Sequence, residues 1–398
     1  MTYYDTTTMN GGTRSGMKLT DEKTYSPGLE GVLAGESDIC QVDEGESGLR
    51  YRGYAIEDLA EGASFEEVAY LLLFGALPTQ QQLKRFAEQI AEASVLPKAA
   101  QEFVHHVPPD AHPMDILRTG VSVLGMADPE AADHSHDANL RKAIRLLAQI
   151  PLLIVSAYRH TEGKQPIGPK TEGGYAEHLL FLLTERHGDE VAKAMARLLN
   201  VSLILYAEHE FNASTFAARV TASTMTDLHS AITAAIGTLK GPLHGGANEA
   251  VAAMFCEIAT PDRAERWIRD ALASKRRVMG FGHRVLKQGD PRSLIIQRQA
   301  HGLSRLCGDT RWYEMATTID RMMQEEKGLH PNLDFYTAVS YLLMGIPRDL
   351  YTPVFVCSRI TGWCAHVIEQ QDRNRLIRPR ARYTGPPPQA YVAIDRRA

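Results

Sequence analysis

The chain has 398 residues, 44% of them hydrophobic, and a formal net charge of −5. That length and apolar share allow a sizeable buried core and exclude global disorder. The near-neutral charge excludes broad attraction to nucleic acid or membrane surfaces, and no apolar run reaches the roughly 18 residues that a membrane span needs.

The five cysteines are Cys40, Cys256, Cys307, Cys357 and Cys364. Their number is odd, and they form no C-x-x-C pair and no zinc-spaced cluster with histidine. They read as reduced thiols, and with no signal pattern near the start the expectation is a cytoplasmic protein.

Residues 1–20, which begin rich in Thr, Gly and Asn, are expected to form a flexible tail. From Gly28 to Leu59, closely spaced glycines predict small β-hairpins around Asp38–Val42 and Leu49–Tyr54. Helical periodicity dominates afterwards. Ser64 and Glu67 form a capping box for a helix over Phe65–Phe74, with Val68, Leu71 and Leu72 on one face. Thr79 caps Gln80–Ser94, Pro97 starts a third helix, and His112-Pro113-Met114-Asp115 opens a fourth that runs to about Met126. The acidic stretch Asp128–Asp137 holds His134 and His136 but lacks further metal ligands, so it reads as a solvated loop.

Leu140–His160 is apolar enough for a buried helix, Thr161–Gly174 reads as a loop, and Glu177–Glu185 and Glu190–Tyr206 read as helices. Repeated helix-turn-helix units with few strand candidates predict an all-α fold. In Glu208-His209-Glu210 an imidazole lies between two carboxylates, which would favour its charged form; equally, His209 could cap or pack a helix junction. Thr215–Leu228 and His229–Leu239 are Ala- and Thr-rich helices suited to close packing at a centre or a subunit interface.

Thr260 is expected to cap a helix over Pro261–Arg277, with proline at its first position. Its closing Lys275-Arg276-Arg277 would complement the helix dipole or face phosphate groups. Helices follow over Leu294–Leu306, Trp312–Glu326, Phe335–Met344 and Tyr351–Gln371. Arg359 sits within the last, otherwise apolar, helix and is costly there unless an anion meets it. Asn374–Tyr383 is extended and basic, and Pro386–Pro388 blocks any further helix.

Three glycine- or proline-bounded turns between these helices each present one ionisable group. They are Gly241–Glu249 with His244, Gly280–Arg292 with His283, and His330–Asp334 with Asp334. An imidazole exchanges protons near neutral pH, and the guanidinium of Arg292 can grip a carboxylate. The combination suits a small acid whose reacting oxygen must be protonated.

Tyr51-Arg52-Gly53-Tyr54, His112-Pro113-Met114-Asp115, Gly241–Glu249, Gly280–Arg292, Pro331–Asp334, Gly362-Trp363 and Arg378-Pro379 stand in one order along the chain. Together they resemble the landmarks of the citrate synthase family, over about Tyr25 to Ile394. The resemblance implies an almost wholly helical fold with a large domain, residues 21–244 and 340–398, and an inserted small domain, residues 245–339. The active site would lie in the cleft between them, in a homodimer.

It further implies condensation of acetyl-CoA with oxaloacetate, followed by thioester hydrolysis. Asp334 would be the base, His244 would hydrogen-bond the thioester oxygen as the enol forms, and His283 would protonate the ketone oxygen. His209, Arg292, Arg359 and Arg378 would hold oxaloacetate, Arg378 reaching in from the partner subunit. Arg277, Val278, Met279, Gly280 and Phe281 would form the wall that contacts CoA. No metal or redox cofactor is implied; acetyl-CoA is a co-substrate. Oxaloacetate would bind first, and domain closure would complete the acyl-CoA site.

The nearest alternative is 2-methylcitrate synthase, which uses propionyl-CoA with the same residues. Tyr206–Asn212 looks like that subfamily, whereas Gly241–His244 and Asn374–Pro379 look like bacterial citrate synthases. One extra methyl group is worth only about 1–3 kcal/mol in a pocket, so dual activity is a third option. A non-catalytic scaffold of the same fold is disfavoured by the presence of His244, His283 and Asp334 together, and a metal hydrolase by the lack of H-E-x-x-H spacing.

Overall fold

The computed structural model describes residues 25–43, 48–168, 173–282, 285–286 and 289–397. The expected tail at residues 1–20 and the expected catalytic His283 lie outside the described residues. Residues 37–378 form one compact unit. The described parts of the other, residues 25–36 and 379–397, are largely irregular, with short 3-10 turns at Pro27–Leu29 and Ile394–Arg396 and the Arg382 guanidinium 5.2 Å from the Tyr25 ring centre.

In the larger unit the expected hairpins merge into one antiparallel meander of β1 (Cys40–Val42), β2 (Leu49–Tyr51) and β3 (Tyr54–Ala55). Cys40 faces Tyr51, which in turn faces Tyr54. Arg52 and Gly53 take positive φ values of 48° and 88°, as a two-residue hairpin turn between right-twisted strands requires. The buried Tyr51 hydroxyl accepts the Glu208 N–H at 3.2 Å and lies 3.1 Å from the Ile204 carbonyl, tying the sheet to the turn that carries His209.

Helices then follow almost without interruption: α1 (Ile56–Gly62), α2 (Phe65–Phe74), α3 (Gln80–Ala93), α4 (Lys98–His105), α5 (Pro113–Ala127), α6 (His136–Thr161), α7 (Tyr175–Thr184) and α8 (Glu190–Tyr206). The second half holds α9 (Ala213–Ala222), α10 (Leu228–Leu239), α11 (Ala247–Ile258), α12 (Pro261–Ala273), α13 (Pro291–Cys307), α14 (Arg311–Lys327), α15 (Leu333–Met344) and α16 (Tyr351–Asp372). The all-α expectation holds. The Ser64–Glu67 capping box forms, and Thr79 forms another with Gln82.

Differences concern helix ends. The stretch expected as one helix over Thr215–Leu228 starts at Ala213, because Asn212 Oδ1 accepts the Thr215 N–H at 3.1 Å, and stops at Ala222. Met225 then turns with φ 62°, and Asp227 caps α10 by accepting the Ser230 N–H at 2.8 Å. Short capping side chains prevail here over helix propensity. Helix α12 ends at Ala273 and Lys275 has φ 56°, so Lys275-Arg276-Arg277 lies beyond the last turn and does not serve the dipole as expected. Helices α1 and α11 went unpredicted.

The core is organised around α16, where every residue except Glu369 and Asp372 is buried. A helix covered on all sides must be apolar or carry satisfied polar groups. Gly362 lets it approach the α8–α9 connection: a Cβ there would stand 2.1 Å from Glu208 Oε2 and 2.4 Å from the Ala207 carbonyl. The Gly362→Ala substitution would add about 1 kcal/mol of helix propensity but overpack this contact at a cost of about 1–3 kcal/mol, plus whatever bonding Glu208 loses. Net destabilisation is the expected outcome, read as a fall in the urea midpoint.

Candidate active site

Two of the predicted turns are zipped together. Asn332 N–H donates to the Gly280 carbonyl at 2.9 Å, Gly282 N–H to the His330 carbonyl at 3.1 Å, and Asn332 Nδ2 to the Gly282 carbonyl at 3.2 Å. Gly280 has φ 84°, and a Cβ there would lie 2.8 Å from Val251 Cγ2 and 2.9 Å from Phe335 Cδ2, so the position admits only glycine. The turn beginning at Gly280 is thereby held against the start of α15.

Asp290 makes a second tie. It caps α13 by accepting the Arg292 N–H at 3.1 Å, and it grips the Arg292 guanidinium through Nε and Nη2, each at 2.9 Å. Its Oδ2 also accepts the Leu333 N–H at 3.1 Å, at the head of α15. Arg292 and Asp290 are both buried. Burial disfavours the guanidinium charge, but the Asp290 carboxylate outweighs it and the Arg292 pKa rises.

Asp334 lies in the first turn of α15, where Asn332 Oδ1 caps its N–H at 3.1 Å. Burial pushes its carboxyl up to about 6, although the Tyr206 hydroxyl, donating at 2.6 Å, and the charges of Arg292 and Arg359 pull the other way. Tyr206 ends α8 and packs on Phe355 with ring centres 4.3 Å apart. Arg359 lies over the same Phe355 ring at 4.8 Å and donates through Nε to the Tyr206 carbonyl at 2.6 Å. Its Nη1 is buried and has no hydrogen-bond partner among the described residues. Burial lowers the Arg359 pKa, opposed by Glu208.

His244 closes the turn before α11, its N–H donating to the Gly241 carbonyl at 2.9 Å. Its Nε2 lies 2.8 Å from Ser214 Oγ and 3.3 Å from the Ser214 N–H, at the head of α9. A backbone N–H can only donate, so Nε2 accepts and the ring proton resides on Nδ1. Burial, with the Arg359 charge, pulls the His244 pKa down to about 4, which keeps the ring neutral at pH 7. Trp363 Nε1 fixes Ser214 Oγ from α16 at 3.1 Å.

His209 is buried just beyond α8. Its expected sandwich between two carboxylates is unequal. Glu208 is fully buried and its Oε1 accepts the His209 N–H at 2.7 Å, whereas Glu210 is exposed, with φ 54°. In the expected CoA wall Arg277 is exposed, Val278 and Gly280 are buried, Met279 is half-buried, and Phe281 packs on Phe335 at 4.7 Å. Arg276 is committed elsewhere: both Nη atoms bind Glu257, at 2.7 and 2.6 Å, and the guanidinium lies over Trp267.

The described structure thus couples Asp334, Arg292, Arg359 and His244 around the ends of α8 and α15. Arg378 is exposed after α16, in a segment held by Ile377 N–H on Ser223 Oγ at 3.1 Å, and makes no bond to that group. A groove of about 1310 Å³ is lined in part by Glu57, Glu61, Lys193, Arg197 and Arg298 and by none of the expected site residues. The sequence reading missed Tyr206 and Ser214 as functional side chains. A tyrosine closing an apolar helix and a serine opening another look like packing and capping; only the fold brings them onto Asp334 and His244.

Residues 28–380 match the family model described as citrate synthase, C-terminal domain. The chain is 46% identical to citrate synthase 2 of Bacillus subtilis over 94% of its own length and the whole of that protein. It is 45% identical to the 2-methylcitrate synthase of Shewanella oneidensis, over 94% of this chain and 99% of that one. Citrate synthase from Thermoplasma acidophilum, solved as a ternary complex with carboxymethyl coenzyme A and oxaloacetate, superposes with a TM-score of 0.85 at 35% identity, covering 94% of this chain and all of the other. The chain belongs to the citrate synthase family. It has that family's all-α fold and is an acyltransferase enzyme.

The Asp334 shift predicts a stability signature. In the folded chain its carboxyl ionises near pH 6, against 3.8 ordinarily. Between those values the folded state binds more protons than the unfolded one, so stability falls as pH rises, and the penalty persists above pH 6. Asp334→Asn removes that penalty. It should be more stable than wild type at pH 8, by on the order of 1–3 kcal/mol, with the gap closing towards pH 4 in urea titrations.

Proposed function

We propose that this chain condenses acetyl-CoA with oxaloacetate and hydrolyses the citryl-CoA thioester to citrate and CoA. The observation that carries this reading is the cluster in which the Asp334 carboxyl accepts the Tyr206 hydroxyl at 2.6 Å beside the buried Arg359, whose Nη1 has no partner among the described residues; burial there pushes the carboxyl up to about 6 and the His244 imidazole down to about 4. A thioester α-proton is weakly acidic, so a base and an enol stabiliser must act in concert.

Asp334 removes the methyl proton of acetyl-CoA, with Tyr206 steering its carboxylate. His244 donates from Nδ1 to the thioester oxygen, and its neutrality lets it share a proton with the forming enol without losing a full charge. His283 protonates the ketone oxygen of oxaloacetate as the carbon–carbon bond forms. Arg292, Arg359 and His209 hold the oxaloacetate, joined by Arg378 from the partner of a homodimer. Support for Arg359 in this role is its buried Nη1, which finds no protein acceptor among the described residues. The CoA moiety lies along Arg277–Phe281, where exposed Arg277 is placed to meet phosphate. Residues 245–339 act as the small domain that closes on the rest once oxaloacetate is bound.

The chemistry calls for no metal or redox cofactor. No described helix is long and apolar enough to cross a membrane. A cytoplasmic site of action belongs to this reading. A second reading, propionyl-CoA as the acyl donor, is favoured by the similarity to a 2-methylcitrate synthase at nearly the same identity as to a citrate synthase.

Release of CoA from acetyl-CoA and from propionyl-CoA, each with oxaloacetate, decides between donors by the ratio of kcat/KM values. A higher value for acetyl-CoA is expected; a higher value for propionyl-CoA would move the chain to the second reading. Asp334→Asn should lower turnover by at least about 100-fold while leaving oxaloacetate binding intact. The acid limb of kcat/KM should fall near pH 6. Tyr206→Phe removes a donor that stabilises the carboxylate, so that limb should move to higher pH.

A further inference from the structure

Behind the proposed oxaloacetate subsite lies a buried polar chain that the reaction itself does not use. It starts at the backbone of Asp38, whose N–H donates to Glu369 Oε1 at 2.9 Å. Glu369 Oε2 accepts from Arg219 Nη1 at 2.6 Å. The same Nη1 lies 2.9 Å from His366 Nδ1. His366 Nε2 lies 3.1 Å from Glu208 Oε1, and Glu208 Oε1 accepts the His209 N–H. Arg219, His366 and Glu208 are all buried, and the Phe211 ring covers the Arg219 guanidinium at 4.6 Å.

The donor inventory leaves one arrangement. A guanidinium has no acceptor, so His366 Nδ1 must accept, and the ring proton must sit on Nε2, pointing at Glu208. A carboxylate can only accept, so Glu208 receives both that proton and the His209 N–H. Arg219 thereby sets the His366 tautomer, His366 aims Glu208, and Glu208 fixes the backbone from which the His209 imidazole projects. Glu208 also supports the buried charge of Arg359. Glu208 Oε2 is buried with no hydrogen-bond partner among the described residues, so the chain is costly to bury and a purely packing role would be better filled by apolar side chains.

We propose that His366 is a positioning residue for oxaloacetate: through Glu208 it holds His209 and Arg359 in their binding arrangement. This inference rests on the reading that oxaloacetate is the substrate bound there.

The test compares two variants of similar size. His366→Gln keeps an N–H near the Nε2 position, facing Glu208. His366→Asn keeps an acceptor near the Nδ1 position, facing Arg219, but loses the donor. Oxaloacetate affinity by calorimetry and KM for both substrates are measured on each. The expected result is that His366→Asn weakens oxaloacetate binding about tenfold and raises its KM, with kcat and the acyl-CoA KM changed less than about threefold, whereas His366→Gln stays near wild type. Equal oxaloacetate binding by wild type and His366→Asn would overturn the proposal. So would equal losses in both variants that track only their melting temperatures, or equal rises in KM for both substrates. A wild type that neither binds nor turns over oxaloacetate would sink the reading beneath it, and that failure shows before any variant is made.

Discussion

A single buried cation, Arg359 in the middle of α16, is the constraint to which the surrounding chemistry answers. Removing a guanidinium from water costs several kcal/mol unless its surroundings compensate. Here the Tyr206 carbonyl, the Phe355 face and the charge of Glu208 supply part of that compensation. The same positive charge lowers the proton affinity of both its neighbours. It lowers the proton affinity of His244, reinforcing burial, and it restrains the rise of Asp334, opposing burial. Burial is what sets the two groups apart, pulling the imidazole down to about 4 and pushing the carboxyl up to about 6.

Apart from α16, the site is assembled from helix ends rather than helix faces. Tyr206 closes α8, Ser214 and Asp334 open α9 and α15, and His244 lies in the turn before α11. Helix starts carry backbone N–H groups with no intrahelical partner, and one of them, at Ser214, aims at His244 Nε2. Caps that start helices, such as Asn332 and Asp290, are therefore as important to the geometry as the groups they position.

Much of this was legible in the residues. The Ser64–Glu67 capping box, the apolar run of α16 and the anomalous arginine within it all stand in the sequence, because local periodicity and charge burial leave local marks. The three turns carrying His244, His283 and Asp334 were recognisable by their glycines or proline, and Gly280 proves to be required by contact with Val251 and Phe335. What escaped depends on distant partners. Nothing local says that Tyr206 meets a carboxylate 128 positions away, or that Arg219 will meet His366 across 147. The basic run after α12 misled because its middle member is neutralised by Glu257, 19 positions back, once Lys275 turns the chain.

Asp290 has a mechanical consequence beyond its charge. One carboxylate holds the Arg292 side chain, the Arg292 N–H in the first turn of α13 and the Leu333 N–H at the head of α15. The Arg292 guanidinium and the pedestal beneath Asp334 are thus bolted to a common bracket. A tilt of α13 would therefore draw on the head of α15 as well, so in the proposed reaction recognition and deprotonation would travel as one lever.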